Sequence, residues 1–243
     1  MDHSLDVQNT YSSVSKYVRE KVESSTLIET PYPHLSITNI FPQPLYNQIL
    51  DHRIEDDCLQ TLRELKRVGS GYPDSRKVLS LTSKMFILSD NQRQFWEPFA
   101  AWMQSDFKQI ILEKFKPYIL KRFNIIPNLS SETLYTRDKK SYELNPHTDS
   151  QRKVITLLIY LPKTSNFKHV GTSMYIPIDP SFTCDGGPHY PRKKFNHYKL
   201  AGYEPNCMFG FFKTNNSFHG VEPILDDFER DLLIYDIFSP QEK

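Results

Sequence analysis

One run of eight residues constrains the fold more than any other. Residues 154–161 read Val-Ile-Thr-Leu-Leu-Ile-Tyr-Leu and are almost continuously apolar and β-branched. Such a run is typical of a strand that is covered on both faces. We therefore expect residues 154–161 to lie in the middle of a sheet, with a further layer of the protein packed on each side.

The rest of the chain divides into a helical first half and a β-rich second half. Apolar residues recur at helical spacing over residues 91–123, which predicts a long amphipathic helix with an interruption at Pro98 and an end near Pro117. After Pro127 this period disappears, and short alternating runs separated by turn residues replace it. The further predicted strands are residues 132–136, 172–178, 207–212 and 232–238.

The length of 243 residues suits a single domain. Residues 1–30 are polar without a strong period and are interpreted as a tail or a marginal helix. Residues 31–243 then form the domain, in which 31–127 supply a first strand near 35–40 and supporting helices, and 128–238 supply the β core. The long segment 179–203 is interpreted as a lid-like insertion.

Composition excludes several classes of function. Thirty basic and 29 acidic residues give a formal charge of +1, so no general field attracts nucleic acid or an anionic membrane. No apolar run is long enough to span a bilayer and no signal-peptide pattern opens the chain, so we expect a cytoplasmic protein. Three cysteines without paired spacing indicate neither a disulfide framework nor a zinc site.

A candidate metal site begins at His147-Thr-Asp149, directly before the buried strand. In extended backbone residues i and i+2 point to the same face, so His147 and Asp149 can share one target. One further imidazole would complete a set of two histidines and one carboxylate that leaves metal coordination positions open. His219, just ahead of the last strand pattern, is the candidate for that imidazole.

Arg230 lies at the head of the last strand pattern, where alternation places it on one face with Leu232 and Ile234. If this face points inward, a guanidinium enters the core, and a buried guanidinium requires an anion. Its planar fork matches a carboxylate. Pairing with Glu229 or Asp231 on a solvated edge is the structural alternative.

The order and spacing of His147, Asp149, His219 and Arg230 resemble those of the iron(II)- and 2-oxoglutarate-dependent oxygenases. The sequence from Pro31 to Phe41 is similar to the first strand of prolyl-4-hydroxylase-like members, and Tyr135 precedes the first histidine by twelve residues, like their sheet tyrosine. The resemblance covers residues 31–238. It departs from the family at 171–176, which read Gly-Thr-Ser-Met-Tyr-Ile where many members have a Gly-Gly-Glu-Leu-like strand.

This resemblance implies a mainly β fold with N-terminal α-helices, a double-stranded β-helix of the jelly-roll, cupin-like type. It implies that His147, Asp149 and His219 bind Fe(II), and that 2-oxoglutarate chelates this metal with its far carboxylate on Arg230 and the Tyr135 hydroxyl. With O2, such an enzyme converts 2-oxoglutarate to succinate and hydroxylates a substrate.

The substrate class stays open at this point. A small molecule is favoured because the segment 179–203 could close over a compact ligand, and a protein side chain of prolyl type is the alternative. Two other functions compete with the hydroxylase. One is a different jelly-roll metal enzyme, such as a cupin-like isomerase or thiol dioxygenase, which would not need Arg230. The other is a non-catalytic metal-binding or sensor module.

Overall fold

The computed structural model describes residues 3–69 and 72–240. Four α-helices precede most of the strands, and a five-residue π-helical turn, Met103–Phe107, joins the last two. The helices are α1 His3–Ser24, α2 Gln43–Asp51, α3 Asp90–Trp102 and α4 Lys108–Phe123. None of the described helices is both long and apolar enough to cross a membrane.

In the described part of the chain, eleven strands form two antiparallel sheets. The larger sheet has the order β1-β9-β6-β11-β4-β3-β2 and the smaller has the order β5-β10-β7-β8. The strands are β1 His34–Thr38, β2 Gln60–Thr61, β3 Arg76–Ser80, β4 Ser130–Asp138, β5 Leu144–His147, β6 Lys153–Tyr160, β7 Thr172–Pro177, β8 Phe195–Ala201, β9 Cys207–Phe212, β10 His219–Val221 and β11 Arg230–Phe238.

The larger sheet is buried on both faces, because the helices pack on one face and the smaller sheet lies on the other. The helix-facing core includes Leu157 and Leu233, packed with Trp96 and Phe107 of the helical region. The opposite face contributes Leu158 and other side chains to a second core between the sheets. Since β6 lies between β9 and β11, the prediction of a central strand at residues 154–161 is confirmed.

This architecture is a double-stranded β-helix with N-terminal helices, as the sequence interpretation expected. The ends of the predicted strands differ from the observed ones by no more than two residues. Strands β2, β3, β5, β8 and β10 were not predicted. They are short or polar, and their alternation is weak because tertiary pairing rather than local pattern selects them.

Residues 3–24 form a helix, one of the two structures that the sequence interpretation allowed for this segment. Helix α1 buries Val14, Val18 and Val22 at intervals of four residues, and it packs against α4. Trp102 donates from its indole nitrogen to the Ser15 hydroxyl over 2.9 Å. This segment is polar overall but has a single apolar stripe on one face of the helix. Its intrinsic helix propensity is low, and tertiary packing of the stripe stabilises the helix.

The predicted helix interruption at Pro98 and helix end near Pro117 are not observed. Pro98 lies inside α3 and Pro117 lies inside α4, while the irregularity falls between them, at the π-helical turn. Each proline removes one backbone hydrogen bond. Burial of the aromatic stripe, including Phe99 and Phe115, keeps both helices continuous despite that loss.

The segment 179–203, which the sequence interpretation takes as a lid-like insertion, contacts both neighbouring strands and loops of the smaller sheet. Its last third is β8, which pairs with β7. The remainder is attached to the sheets by backbone contacts: the Tyr190 amide donates to the Pro146 carbonyl over 2.9 Å, and the Cys184 amide donates to the Asn215 carbonyl over 2.9 Å. The Thr148 hydroxyl donates to the Cys184 carbonyl over 2.9 Å. The segment therefore forms a wall beside the candidate metal ligands.

Candidate active site

Strand pairing in the smaller sheet brings the predicted metal ligands together. His147 ends β5, His219 begins β10, and the two residues are direct partners across these strands, with ring centroids 4.4 Å apart. Asp149 follows His147 by two residues, and its Oδ2 lies 4.0 Å from His219 Nε2. One ligand atom from each of the three residues lies within 4.8 Å of the others. All three side chains are buried.

Local hydrogen bonds orient both imidazoles for metal binding. Nδ1 of His147 lies 3.0 Å from the Asn145 carbonyl, and Nδ1 of His219 lies 3.0 Å from the Ser217 carbonyl. A carbonyl only accepts, so Nδ1 carries the proton in each ring and Nε2 keeps its lone pair. Burial lowers the pKa of both histidines, which favours the neutral form that binds metal.

Asp149 is kept ionised by neighbours that the sequence interpretation did not identify. Burial alone would raise its pKa, but the Lys153 ammonium, 3.2 Å from Oδ1, and the two imidazoles outweigh burial and lower the pKa well below its ordinary value. The Thr156 hydroxyl lies 2.8 Å from Asp149 Oδ2. The same hydroxyl is 2.9 Å from Asp236, whose pKa burial raises. The Thr156 hydroxyl has one proton and can donate to only one of these two carboxylates at a time. Asp149 has the lower pKa of the two, so it is the ionised carboxylate that accepts this hydrogen bond.

A cavity of about 380 Å³ extends from these ligands along the inner face of the larger sheet. Alternation along β11 places Arg230, Leu232, Ile234 and Asp236 on its wall, as predicted for the first three. The cavity therefore has a metal-ligand region, an apolar wall that Leu158 of β6 also lines, and a guanidinium.

Arg230 is fully buried and lies in this cavity. Its Nε donates to the Val170 carbonyl over 2.6 Å, and its Nη1 donates to Asp138 Oδ2 over 2.6 Å. Its Nη2 is buried and has no hydrogen-bond partner in the described part of the chain. The alternative pairing with Glu229 or Asp231 is absent, because those carboxylates contact Arg53 and Arg137 instead. The structure thus brings Arg230 into the cavity of the three metal ligands.

Tyr135 is not part of this site, which corrects the second cosubstrate contact expected from the resemblance. It pairs with Leu233 across β4 and β11 and therefore points to the helix-facing core, where it packs against Trp96. Its hydroxyl donates to Asp231 Oδ2 over 2.8 Å. The face on which Tyr135 lies follows from its register with β11, and the spacing to His147 did not contain that information.

Thr172 supplies a hydroxyl inside the cavity and was missed in the sequence. The Tyr160 hydroxyl donates to Thr172 Oγ1 over 2.8 Å, so the Thr172 proton is left for another acceptor. Position 172 is where the sequence departs from the Gly-Gly-Glu-Leu-like pattern, and this departure was the available signal.

His189 lies at the mouth of the cavity, with its ring centroid 4.6 Å from that of His147. The nearby basic residues have a structural role in part, because Arg192 donates to Glu143 over 2.7 Å and to the Val221 carbonyl over 2.9 Å. The position of His189 beside the ligands depends on the path of the segment 179–203 and was not predictable from the spacing of His189 in the sequence.

Comparisons by sequence identify no relative, since no family model and no curated protein matches the chain. The structure, however, is similar to a prolyl-4-hydroxylase from Pseudomonas putida, with a TM-score of 0.55 and 14% identity over 92% of this chain and 100% of that chain. It is also similar to a Trichoplax adhaerens prolyl hydroxylase in complex with a hypoxia inducible factor peptide fragment, with a TM-score of 0.55 and 12% identity over 98% and 94% of the two chains.

A third similar structure is a prolyl 4-hydroxylase from Phytophthora capsici, with a TM-score of 0.51 and 13% identity over 94% of this chain and 65% of that chain. The fold is therefore that of the 2-oxoglutarate-dependent oxygenases. Within this class, it is the fold of the prolyl-4-hydroxylase-like structures. At these identities the similarity establishes the fold, and the function rests on the site.

Proposed function

We propose that the protein is an Fe(II)- and 2-oxoglutarate-dependent oxygenase that hydroxylates a small molecule. The observation that carries this proposal is the composition of one cavity, in which three metal ligands, an apolar wall and an arginine with a free N–H arm occur together. This pattern matches a metal-chelating 2-oxo acid that carries a second carboxylate beyond an apolar spacer.

The three ligands fit iron(II) by their chemistry. Two neutral imidazoles and one carboxylate on one side of the ion leave three of six coordination positions open. When bound, iron(II) and 2-oxoglutarate together supply an oxidant derived from O2, and the cosubstrate leaves as succinate and CO2. Asp149 and the two Nε2 atoms hold the metal, and Lys153 and Thr156 hold Asp149 in place.

The other end of the cavity fits the far carboxylate of the cosubstrate. Arg230 Nη2 requires an acceptor because an unsatisfied buried donor is costly, and a carboxylate satisfies it with a charge-assisted hydrogen bond. The Thr172 hydroxyl is a second donor in the same cavity. The apolar side chains of Leu158, Leu232 and Ile234 line the cavity between the two ends, where they would pack against the methylene groups of the cosubstrate and exclude water.

A cavity of about 380 Å³ lies within the roughly 300–1,000 Å³ that is usual for small-molecule sites. This volume suits the cosubstrate, and a compact substrate is proposed at the mouth of the cavity, where His189 lies beside the metal ligands. Hydroxylation of a protein side chain is the second candidate. It is favoured by the fold that the chain shares with prolyl hydroxylases.

Binding is tested first, without a substrate. Anaerobic addition of Fe(II) and then 2-oxoglutarate should give a visible charge-transfer band that is absent in His147→Ala and His219→Ala. Arg230→Met should still bind Fe(II), but its 2-oxoglutarate affinity should fall by at least tenfold, as expected for a lost charge-assisted hydrogen bond of roughly 1.5–3 kcal/mol. Retained cosubstrate affinity in Arg230→Met would remove Arg230 from this role and favour a different jelly-roll metal enzyme.

Turnover is tested second. The aerobic protein with Fe(II) should convert 2-oxoglutarate to succinate slowly on its own, and faster when a metabolite extract contains the substrate. Peptide fractions serve as the parallel test of a protein substrate. Binding of both ligands without any succinate production would instead identify a non-catalytic sensor module.

A further inference from the structure

Three charged side chains lie in a row across three adjacent strands of the larger sheet. Arg76 of β3 is the direct partner of Asp138 of β4, and Asp138 is the direct partner of Arg230 of β11. All three point into the space between the sheets and are buried. Two guanidinium groups thus share one carboxylate, which leaves one unbalanced positive charge beside the cavity.

The two arginines bind Asp138 in different ways. Arg76 occupies both carboxylate oxygens, with its Nε 2.6 Å from Oδ1 and its Nη2 2.8 Å from Oδ2. Its guanidinium is also stacked over the Tyr142 ring at 4.3 Å, which fixes its plane. Arg230 reaches only Oδ2, through Nη1. Since the bidentate geometry is already taken, the second arm of Arg230 remains free.

The opposite face of the same sheet provides an internal comparison. There Asp231 accepts from Arg137 and Arg53, so it too is a carboxylate between two arginines. The arginines of this outer cluster have a second carboxylate, because Glu229 pairs with Arg53 and also with Lys139, and Tyr135 adds a neutral hydrogen bond to Asp231. None of its buried side-chain donors lacks a partner in the described residues.

The inner cluster therefore differs from the outer one by the lack of one carboxylate. Within residues 3–69 and 72–240, Asp138 is the only acidic side chain in salt-bridge contact with either Arg76 or Arg230. The unsatisfied atom, Arg230 Nη2, belongs to the residue that lines the cavity. A ligand carboxylate at this atom would make the inner cluster equivalent to the outer one.

We propose that Arg76 is a positioning residue that, by holding Asp138 in a bidentate pair, keeps one arm of Arg230 free and the cluster cationic, so that the cavity selects a dicarboxylate. Without Arg76, Asp138 would pair with Arg230 in the bidentate geometry that aspartate and arginine favour. The cluster would then be neutral and closed. This inference rests on the proposed use of 2-oxoglutarate and adds to it the residues that set the selectivity for its second acid group.

The test measures binding to protein loaded with Mn(II), which does not oxidise in air. The probes are 2-oxoglutarate and 2-oxopentanoate, which keeps the chelating end but lacks the far carboxylate. Arg76→Met, which retains much of the stacking on Tyr142, should weaken 2-oxoglutarate binding by at least tenfold and leave 2-oxopentanoate binding unchanged within threefold.

The double variant Arg76→Met/Asp138→Asn gives the result that a merely structural role would not produce. Removing the Asp138 charge frees Arg230 again and restores one net positive charge, so 2-oxoglutarate affinity should return to within about threefold of wild type. A double variant that binds no better than Arg76→Met overturns the proposal. Arg53→Met in the outer cluster is the matched control, which should lose stability and keep wild-type affinity for 2-oxoglutarate.

The outcomes separate this inference from the proposed function. Wild-type protein that does not bind 2-oxoglutarate at all contradicts the proposed function, whereas wild-type binding that Arg76→Met leaves unchanged contradicts only the role of Arg76. If circular dichroism shows that Arg76→Met does not fold, the 2-oxoglutarate affinity of the single variant Asp138→Asn tests the proposal instead. Affinity equal to or above that of wild type supports the proposal, and tenfold weaker affinity overturns it.

Discussion

Tyr135→Phe tests whether the Tyr135 hydroxyl stabilises the fold, as the structure indicates, or binds 2-oxoglutarate, as the spacing in the sequence suggested. The substitution removes a single oxygen from a side chain that is 1% exposed and whose hydroxyl donates to Asp231 over 2.8 Å. A hydrogen bond to a charged group contributes roughly 1.5–3 kcal/mol. Because Asp231 retains its N–H donors from Arg53 and Arg137, we expect a loss near the lower end, about 1.5 kcal/mol.

For a chain of this size, 1 kcal/mol lowers Tm by roughly 2–4 °C, so the expected decrease is about 3–6 °C. Urea unfolding measures the free energy directly, and the same preparation serves for titration with 2-oxoglutarate in the presence of Mn(II). The dissociation constant of 2-oxoglutarate should stay within twofold of wild type, because the ring lies on the helix side of the sheet.

Thr172→Val is the matched control, since it also removes one buried hydroxyl but inside the cavity. It should weaken 2-oxoglutarate binding by about tenfold, which corresponds to about 1.4 kcal/mol. The reasoning is refuted if Tyr135→Phe loses tenfold in cosubstrate affinity while its unfolding free energy equals that of wild type.

Two further predictions concern the metal ligands and the strand that carries one of them. Burial lowers the pKa of His147 and His219, so as the pH is lowered through the unfolded value of about 6.5 the unfolded state binds more protons than the folded state, and the unfolding free energy of the chelator-treated protein should fall, by at most about 1.4 kcal/mol per pH unit for each histidine. Urea unfolding between pH 7.5 and 5.5 measures this slope, and His219→Asn should lose its share; an unchanged slope in that variant would contradict the assignment. Gly220→Ala should weaken Mn(II) binding by at least tenfold, because a Cβ there would lie 2.4 Å from the Leu144 carbonyl oxygen and push β10 away from β5. Gly69→Ala, where a Cβ meets nothing within 4 Å, should bind Mn(II) like wild type, and equal Mn(II) affinity in both variants would contradict this account.

Much of the architecture was predictable because local periodicity reports how an element is buried. The apolar run at 154–161 required a covered central strand, and β6 has that position. Alternation in the last strand placed Arg230 on one face with Leu232 and Ile234, and the structure shows that this face lines the cavity. The spacing of two between His147 and Asp149 put both on one target. These inferences need only the geometry of one strand.

The errors have a common physical cause in packing between elements. The prolines at 98 and 117 remain within helices, because burial of aromatic side chains outweighs one lost hydrogen bond at each position. Similarly, the first helix is stabilised because Val14, Val18 and Val22 are buried where α1 packs against α4. The polar sequence of this segment does not predict that contact.

By itself the sequence determined the division into a helical first half and a β-rich second half, the central strand, and the candidate ligands His147, Asp149 and His219. Only the tertiary structure decided the registers across strands. A shift of one residue in register reverses the face of every side chain in a strand. That is why Tyr135 lies outside the cavity, and why Arg76 and Arg230, 154 positions apart in the chain, meet on the same carboxylate of Asp138.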